Sequence, residues 1–358
     1  MPPSPIRCYK SANVNAELNR ILVVGPAWVG DMVMAQSLFK TLKQNHPQVQ
    51  IDVVAPKWSQ PLLARMPEVN TAFALPVSHG KLQLRARWSL GKQLRSNHYD
   101  QAIVIPRSYK SALIPWFAKV PVRTGYKGES RYGILNDMRP LGKNVLTRTV
   151  QRYVALGQAI EAQLPPPVPE PKLSIDVNNR RRVAEKLGLN DGATSIALLP
   201  GAEYGPSKRW PIECYRELAQ RLSAAGYHVW VFGSAKEQAI GEQITAGQST
   251  DVINLCGQTT LEDVIDLLSL TSVVVTNDSG LMHVAAAVGV SIVAIYGSTT
   301  PDYTPPLTSK AEILYENLSC SPCFKRECPL GHTLCLKNID VERVMNAVAH
   351  RIEYSRIH

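Results

Sequence analysis

The chain of 358 residues has no run of eighteen consecutive apolar residues. Its most apolar stretch, 281–297, is interrupted by His283, Gly289 and Ser291. This stretch therefore predicts a buried helix followed by a strand and not a membrane-spanning helix. The first five residues, MPPSP, also lack the apolar core of a signal peptide. Together these absences lead us to expect a cytoplasmic protein.

Acidic residues are scarce in the N-terminal half. Residues 1–175 contain 23 Lys and Arg against 9 Asp and Glu, a net charge of +14, whereas residues 176–358 contain 16 against 20, a net charge of −4. Such an asymmetry favours an anionic partner for the first half. No nucleic-acid-binding motif accompanies the charge, so we do not expect nucleic acid. An anionic membrane surface or a phosphorylated lipid fits it, and the alternative is a basic surface without a partner.

The length and the 45% content of hydrophobic residues favour two domains, each with its own core. Five prolines within residues 165–171 predict a stiff linker that separates them. We expect an extension over 1–20, a first domain over 21–170 with its linker at about 164–172, a second domain over 173–338 and a C-terminal helix over 339–358. That helix could pack back on the first domain.

Both halves show the alternation of strands and helices that is typical of parallel α/β sheets. In the first half, strands at 21–24 and 51–55 flank a helix at 32–45, and a further strand is predicted at 101–105. Helices are predicted at 59–66, 82–96 and 150–162, and the basic region 106–148 reads as irregular. In the second half, strands are predicted at 195–199, 228–232, 252–255, 273–275 and 291–297, with helices at 211–225, 235–246, 260–270, 281–289 and 339–353.

The most informative segment follows the strand Val273–Val275. Asn277, Asp278, Ser279 and Gly280 stand between this strand and an Ala-rich helix that contains His283. Open α/β sheets bind ligands at the carboxyl ends of their strands. Backbone N–H groups at a helix N-terminus also suit a phosphate. The alternative is a capped helix in a core that binds nothing.

Two more strand ends carry candidate ligand-binding residues. The loop after the strand at 195–199 contains Gly201 and Ala202, which allow close approach of the backbone to a phosphate, and Lys208, which supplies a mobile charge. Glu237, after the strand at 228–232, is placed to accept hydrogen bonds from a ribose. The alternatives are a solvated Lys208-Arg209 pair and an ordinary first-turn glutamate.

Asp31 stands where a phosphate loop of Walker type has its lysine. Gly25 and Gly30 have the Walker spacing, but a carboxylate at position 31 would repel a phosphate, so a nucleoside triphosphate site is not expected. Asp31 instead begins a helix at the carboxyl edge of a sheet. It could interact with the helix dipole or act as a general base on a hydroxyl.

Four of the seven cysteines form a C-x2-C-x4-C-x6-C cluster, with His332 inside it. In a cytoplasmic chain, this cluster predicts a structural zinc site in preference to disulfides. The spacing matches no standard zinc ribbon, so a redox or disulfide pair and reduced packing cysteines stay open. The four residues are Cys320, Cys323, Cys328 and Cys335.

Four segments together resemble the ADP-heptose:lipopolysaccharide heptosyltransferases of glycosyltransferase family 9. These are Gly30-Asp31, the loop 200–211, the motif 277–283 and the cysteine-rich segment 318–323, and the resemblance runs from about Ile21 to the C-terminus. It implies a GT-B fold, in which two Rossmann-like domains face each other across a cleft. The first domain would bind the acceptor and the second the donor nucleotide.

The resemblance also implies an activity. The family inverts the anomeric centre and requires no catalytic metal, the donor being ADP-L-glycero-D-manno-heptose. The implied acceptor is the first heptose of the lipopolysaccharide inner core, in heptosyl-Kdo-lipid A. The enzyme would then lie on the inner face of the inner membrane as a peripheral protein.

The resemblance also implies roles for single residues of this chain, wherever they match the family's motifs. Asp31 matches the base, Lys208 the diphosphate-binding lysine, Glu237 a ribose-binding acid, and Thr259 falls near the adenine. The donor-sugar and phosphate turn matches Asp278, Ser279, Gly280 and His283, with Gly201 and Ala202 in the preceding loop. The candidate acceptor-binding residues are Arg107, Lys110, Arg123, Lys127 and Arg131.

Two other functions stay open at this point. One is a family 9 heptosyltransferase with a different acceptor. The other is a non-catalytic protein that binds nucleotides or sugar phosphates, for which a carboxylate at position 31 would have no use.

Overall fold

The structure, a computed structural model, describes residues 18–77, 81–189 and 194–357. The N-terminal extension expected over 1–20 therefore lies largely outside the described residues. The chain forms two compact units, which divide between Pro169 and Glu170 in the proline-rich segment. Two short segments from earlier in the chain, Trp28–Met34 and Arg65–Pro67, belong to the second unit.

The first unit contains a six-stranded, fully parallel sheet with the order β3-β2-β1-β4-β5-β6. Strands β1 to β3 follow each other outward in one direction and β4 to β6 in the other, so the order reverses between β1 and β4. The strands are β1 (Arg20–Val24), β2 (Gln50–Pro56), β3 (Val69–Leu75), β4 (Gln101–Val104), β5 (Val122–Tyr126) and β6 (Asp137–Arg139). The helices are α1 (Val29–Asn45), whose first turn belongs to the second unit, α2 (Gln60–Ala64), α3 (Leu84–Leu94), α4 (Tyr109–Phe117) and α5 (Thr149–Leu156).

The second unit repeats this design with the sheet order β12-β11-β10-β7-β8-β9, again fully parallel. Its order reverses between β7 and β10. The strands are β7 (Ser195–Leu199), β8 (His228–Val231), β9 (Val252–Asn254), β10 (Val273–Asn277), β11 (Ser291–Tyr296) and β12 (Ala311–Tyr315). The helices are α6 (Val177–Lys186), α7 (Ile212–Ala224), α8 (Gln238–Thr245), α9 (Leu261–Leu268), α10 (Gly280–Val288), α11 (Leu334–Lys337) and α12 (Val341–Ile357).

The sequence pattern of β10 and α10 explains why this part of the fold forms. All five residues of β10 are buried, as expected for a central strand covered on both faces. The helix α10 is buried over Met282–Ala287 and ends at Gly289, whose φ of 89° is left-handed and favours glycine. The α/β architecture with two parallel sheets, predicted from the sequence, is therefore confirmed.

Several details differ from the sequence analysis, which did not predict β3, α6, β12 or the short α11. The region 106–148 is not irregular throughout, because it contains α4, β5 and β6; the short strands and the proline inside α4 hid this pattern. The C-terminal helix α12 places Val344, Val348 and Ile352 in the core around the second sheet.

No helix in the described ranges is both long enough and apolar enough to span a bilayer. This agrees with the lack of long apolar runs in the sequence.

Candidate functional site

The two loops singled out in the second half meet where the strand order of the second sheet reverses. The loop 200–211 follows β7, and the motif 277–280 follows the neighbouring strand β10. Asn277 joins them, since its side-chain amide donates to the carbonyl of Pro200 at 2.8 Å and accepts from the backbone N–H of Trp210 at 2.9 Å. Asn277 is fully buried. It therefore fixes both ends of the loop and does not cap the helix.

Lys208 and Asp278 form the charged centre of this site. The ammonium of Lys208 lies 2.5 Å from Oδ2 of Asp278, with side chains only 14% and 5% exposed. The hydroxyl of Thr299 donates to the same carboxylate oxygen at 2.5 Å. The Tyr204 ring lies 5.2 Å from the same ammonium, measured to its centroid. A cation is thus held at the switch point of the sheet, beside the N-terminus of α10.

His283 packs against this centre from the first turn of α10. Its pKa is lowered to about 4, chiefly by burial and to a smaller extent by the positive charge of Lys208, while the negative charge of Asp278 opposes the shift. The imidazole is therefore neutral at neutral pH. Gly280 and Ser279 begin the helix, and Ser279 makes no side-chain capping bond. A helix start whose backbone N–H groups are not capped by that side chain suits an anion.

The segment that carries Asp31 lies against this helix start. A Cβ atom on Gly30 would come within 2.6 Å of Cδ2 of His283, and one on Gly280 within 2.9 Å of Cβ of Val29. Both glycines are required by this close approach. Asp31 is in the first turn of α1 and partly exposed. The second unit therefore contains Asp31, Lys208 and the α10 N-terminus together.

Glu237 lies directly over Gly201. A Cβ atom on Gly201 would overlap Oε1 of Glu237, so a larger residue there would displace the Glu237 carboxylate from its present position. The other oxygen of Glu237 accepts hydrogen bonds from the backbone N–H and the hydroxyl of Ser234, at 2.7 and 2.9 Å. Glu237 therefore lies beside the loop that contains Gly201, and its binding of a ribose stays a prediction.

Two other predicted residues have different surroundings. The hydroxyl oxygen of Thr259 is buried and has no hydrogen-bond partner among the described residues. Ala202 is buried, and its carbonyl accepts from the guanidinium of Arg209 at 3.1 and 3.3 Å. Arg209 therefore holds the loop closed, whereas Lys208 points to the strand ends.

Sequence reasoning missed the loop after β11. Ser298 is within 2.9 Å of Ser207, hydroxyl to hydroxyl, and Thr299 holds Asp278. Both follow the carboxyl end of a parallel strand, so the rule that identified Asp278 would also have identified them.

Comparison with known proteins agrees with this geometry. The family model described as glycosyltransferase family 9 (heptosyltransferase) matches residues 87–334. Lipopolysaccharide heptosyltransferase 2 of Escherichia coli is 45% identical over 335 residues, which cover 91% of this chain and 96% of that protein. Lipooligosaccharide heptosyltransferase 2 of Haemophilus ducreyi is 48% identical over 310 residues, 82% of this chain and 88% of that one.

The fold comparison points the same way. The structure of E. coli ADP-heptose LPS heptosyltransferase II superposes with a TM-score of 0.85 and 41% identity, over 94% of this chain and 99% of that chain. This chain belongs to glycosyltransferase family 9. The resemblance inferred from the four sequence segments is confirmed, and the chain is a glycosyltransferase.

The basic residues of this family 9 chain that we expected to bind an acceptor divide into two groups. Arg107, Lys110 and Lys127 are exposed or half-buried, and Arg107 follows β4, where the order of the first sheet reverses. Arg123 donates to the carbonyls of Ile134 and Val120, both at 2.5 Å.

Arg131 does not fit the expectation of acceptor binding. Its side chain is fully buried and donates to the carbonyls of Pro106 and Tyr126, and burial lowers its pKa to about 10. The Arg131 guanidinium therefore ties loops of the first unit together. The sequence could not reveal this, because a buried arginine and a surface arginine look alike without the partner carbonyls.

The four clustered cysteines line one small cavity of about 20 Å³ together with His332, Ser207 and Ser298. All four are free thiols. Within the described ranges, no group of three or more His, Cys, Asp or Glu residues is arranged to hold a metal ion. A structural zinc thus stays a prediction, and the disulfide alternative is not what the structure contains.

The cysteine-rich segment also supports the Lys208 loop. The carbonyl of Lys325 accepts from the hydroxyl of Ser207 at 2.5 Å, and the carbonyl of Arg326 accepts from the backbone N–H of Ser207 at 3.2 Å. The cysteine-rich segment therefore has a structural role, because it fixes the position of the residue that precedes Lys208.

Thiol reactivity should separate these cysteines. Hydrogen bonds from the backbone N–H of Thr333 and of residues 330–332 lower the pKa of Cys328, whereas burial, and then the other three thiols, raise that of Cys335. Limited alkylation with iodoacetamide at pH 7.5, read by peptide mass spectrometry, should modify Cys328 before Cys335 and before Cys256. Protection of all four until a chelator is added would show a bound metal and contradict the free-thiol arrangement.

Proposed function

We propose that this protein transfers L-glycero-D-manno-heptose from its ADP-linked form to the first heptose of the lipopolysaccharide inner core, with inversion and without a catalytic metal. The observation that carries the proposal is the grouping of Asp31, Lys208 and the α10 N-terminus in one compact unit. The names of the E. coli and H. ducreyi relatives support the transfer of heptose. The cysteine-rich segment and the identity to those relatives favour this acceptor over that of a type I or III enzyme.

The donor would bind at the switch point of the second sheet. The diphosphate is expected at the backbone N–H groups of Ser279 and Gly280, where Lys208 neutralises charge that develops as ADP departs. Glu237 would accept from the ribose and Thr259 would face the adenine, where its buried hydroxyl gains a partner. Gly201 and Ala202 would contribute backbone contacts.

Asp31 would act as the general base. It takes the proton from the acceptor hydroxyl as that oxygen attacks the anomeric carbon on the face opposite ADP. The bond between the anomeric carbon and the phosphate oxygen breaks, and ADP carries the electron pair away beside Lys208. Neutral His283 would hold the helix start without adding a positive charge of its own.

The acceptor is amphiphilic and anionic, which gives the +14 charge of residues 1–175 a role. Arg107, Lys110 and Lys127 are the proposed contacts to its phosphates and carboxylates, whereas the buried Arg131 is not. We propose a peripheral location on the cytoplasmic face of the inner membrane.

The defining experiment is incubation of the purified chain with ADP-L-glycero-D-manno-heptose and heptosyl-Kdo-lipid A in the presence of EDTA. We expect ADP release, a mass gain of one heptose and an inverted linkage by NMR. A parallel reaction with Kdo-lipid A should be much slower. Equal or faster transfer to Kdo-lipid A would assign a different acceptor, and ADP-heptose binding without any transfer would favour the non-catalytic alternative.

Replacing Asp31 should separate chemistry from nucleotide binding. We expect Asp31→Asn to lower kcat by about 10²–10⁴-fold, because a general base typically contributes that much, and to leave the Kd for ADP unchanged by calorimetry. Glu161→Gln, which changes an exposed carboxylate, is the matched control and should keep full activity. Near-normal turnover of the Asp31→Asn protein would remove this residue from the mechanism.

Replacing Lys208 should weaken both donor binding and turnover, but it also leaves the buried Asp278 without its cation. Breaking a buried ion pair typically costs about 3–5 kcal/mol of folding free energy. The variant Lys208→Met is therefore paired with Lys208→Met/Asp278→Asn, which removes both charges and should regain much of the lost Tm.

We expect neither variant to regain transfer, and Lys186→Met, at an exposed lysine of α6, should behave as the parent protein. Recovery of transfer in the double variant would mean that Lys208 serves stability alone.

A further inference from the structure

Helices α3 and α4 cover the same face of the first sheet and lie against each other. Leu90 and Leu94 of α3 share a core with Ile114 of α4 and with Leu22 and Ala102 of the strands beneath. A Cβ atom on Gly91 would lie 2.5 Å from Cβ of Phe117 and 2.9 Å from the carbonyl oxygen of Ile114. The two helices therefore form one continuous layer with a single outer surface.

Large apolar side chains stand on that outer surface. Leu84 and Trp88 of α3 are 49% and 48% exposed, and Tyr109 and Trp116 of α4 are 42% and 45% exposed. Residues 84 and 88 are four apart on one helix and 109 and 116 are seven apart on the other, so each pair forms a stripe along its helix. We call these four residues, with Lys92 and Lys119, the α3–α4 face.

The charge along these two helices is mostly positive, although the carboxylate of Glu129, from a later loop, accepts from the backbone N–H of Tyr109 at 2.6 Å. Between positions 81 and 119 the only acidic residue is Asp100, against eight basic residues: Lys81, Arg85, Arg87, Lys92, Arg95, Arg107, Lys110 and Lys119. Asp100 is engaged elsewhere, because its carboxylate accepts from the backbone N–H groups of Asn19 and Arg20 at 2.8 and 2.9 Å. The ammonium of Lys92 lies 5.4 Å from the ring centroid of Trp88, so a cation and an aromatic ring are presented together.

Arg87 gives this layer a fixed shape. It is buried, and its guanidinium donates to the carbonyls of Leu82 at 2.7 Å and Lys110 at 3.2 Å, which ties the start of α3 to α4. Burial lowers the pKa of Arg87. The positive charge of Arg87 is therefore buried between the two helices. The exposed Lys92 and Lys119 carry the positive charge at the surface.

We propose that the α3–α4 face docks on a bilayer that contains anionic phospholipid. Tryptophan and tyrosine favour the interface between headgroups and acyl chains, and lysines beside them are attracted by a negatively charged leaflet. Both features are needed, because a small number of apolar residues by themselves would bind a membrane only weakly. The inference deepens the proposed function, because an acceptor anchored by lipid A lies in such a bilayer.

Co-sedimentation of the full chain with vesicles tests the proposal. Vesicles of phosphatidylcholine with phosphatidylglycerol should bind the parent protein, and vesicles of phosphatidylcholine alone should bind it about tenfold less. Trp88→Ala/Trp116→Ala should lower binding to the anionic vesicles by about tenfold or more. Trp58→Ala, which removes a tryptophan that is 39% exposed outside these helices, is the matched control and should bind as the parent does.

A second variant tests the charge alone and leaves the aromatic residues in place. Lys92→Gln/Lys119→Gln should weaken binding to anionic vesicles and flatten its dependence on salt. Unchanged binding in both double variants would overturn the proposal. A loss of self-association in the absence of vesicles would also overturn it, because the face would then be a contact between copies of the chain.

Transfer to an acceptor without acyl chains distinguishes a failure of membrane docking from a failure of the proposed function. Both double variants should transfer heptose to such a water-soluble acceptor at the parent rate, because the α3–α4 face does not contribute to the chemistry. Loss of vesicle binding with transfer intact supports docking. If the parent protein bound vesicles normally but transferred no heptose, that result would contradict the proposed function and still support docking by the α3–α4 face.

Discussion

The candidate site of the second unit is built around one buried ion pair at the point where the strand order reverses. Lys208 and Asp278 come from loops that follow adjacent strands, and each is nearly excluded from water. Burying two charges costs about as much free energy as their attraction returns, so the pair adds little net stability. The pair keeps a cation at the N-terminus of α10, where the proposed departure of ADP would place negative charge.

The surrounding contacts serve to hold that pair in place. Asn277 joins the two loops, Thr299 orients the carboxylate, and Ser207 is fastened to the carbonyls of Lys325 and Arg326. Gly30 and Gly201 allow a neighbouring side chain to approach where any Cβ would collide. Such close packing restricts the loops to one arrangement, which is what preorganised stabilisation of a departing charge requires.

Much of the fold and the positions of the candidate site residues could be predicted from the sequence, for identifiable reasons. The strands β1, β7 and β10 are largely apolar, because parallel strands are buried on both faces, and the candidate site residues follow their carboxyl ends. What the sequence could not reveal depends on tertiary partners. The burial of Arg131, the use of Asn277 as a link between loops and the packing of α12 on the second sheet each require knowing which distant carbonyl or apolar side chain lies opposite.

The hydrogen bonds between Ser207 and the cysteine-rich segment have a consequence for synthesis of the chain. The residue beside Lys208 is fastened by carbonyls almost 120 positions later. A ribosome must therefore have released the chain beyond Arg326 before this loop can take its final form. Strands β7 to β9 can pair earlier, because β9 ends at Asn254, whereas the loop around Lys208 is completed only after Arg326 has emerged, about a fifth of the chain later.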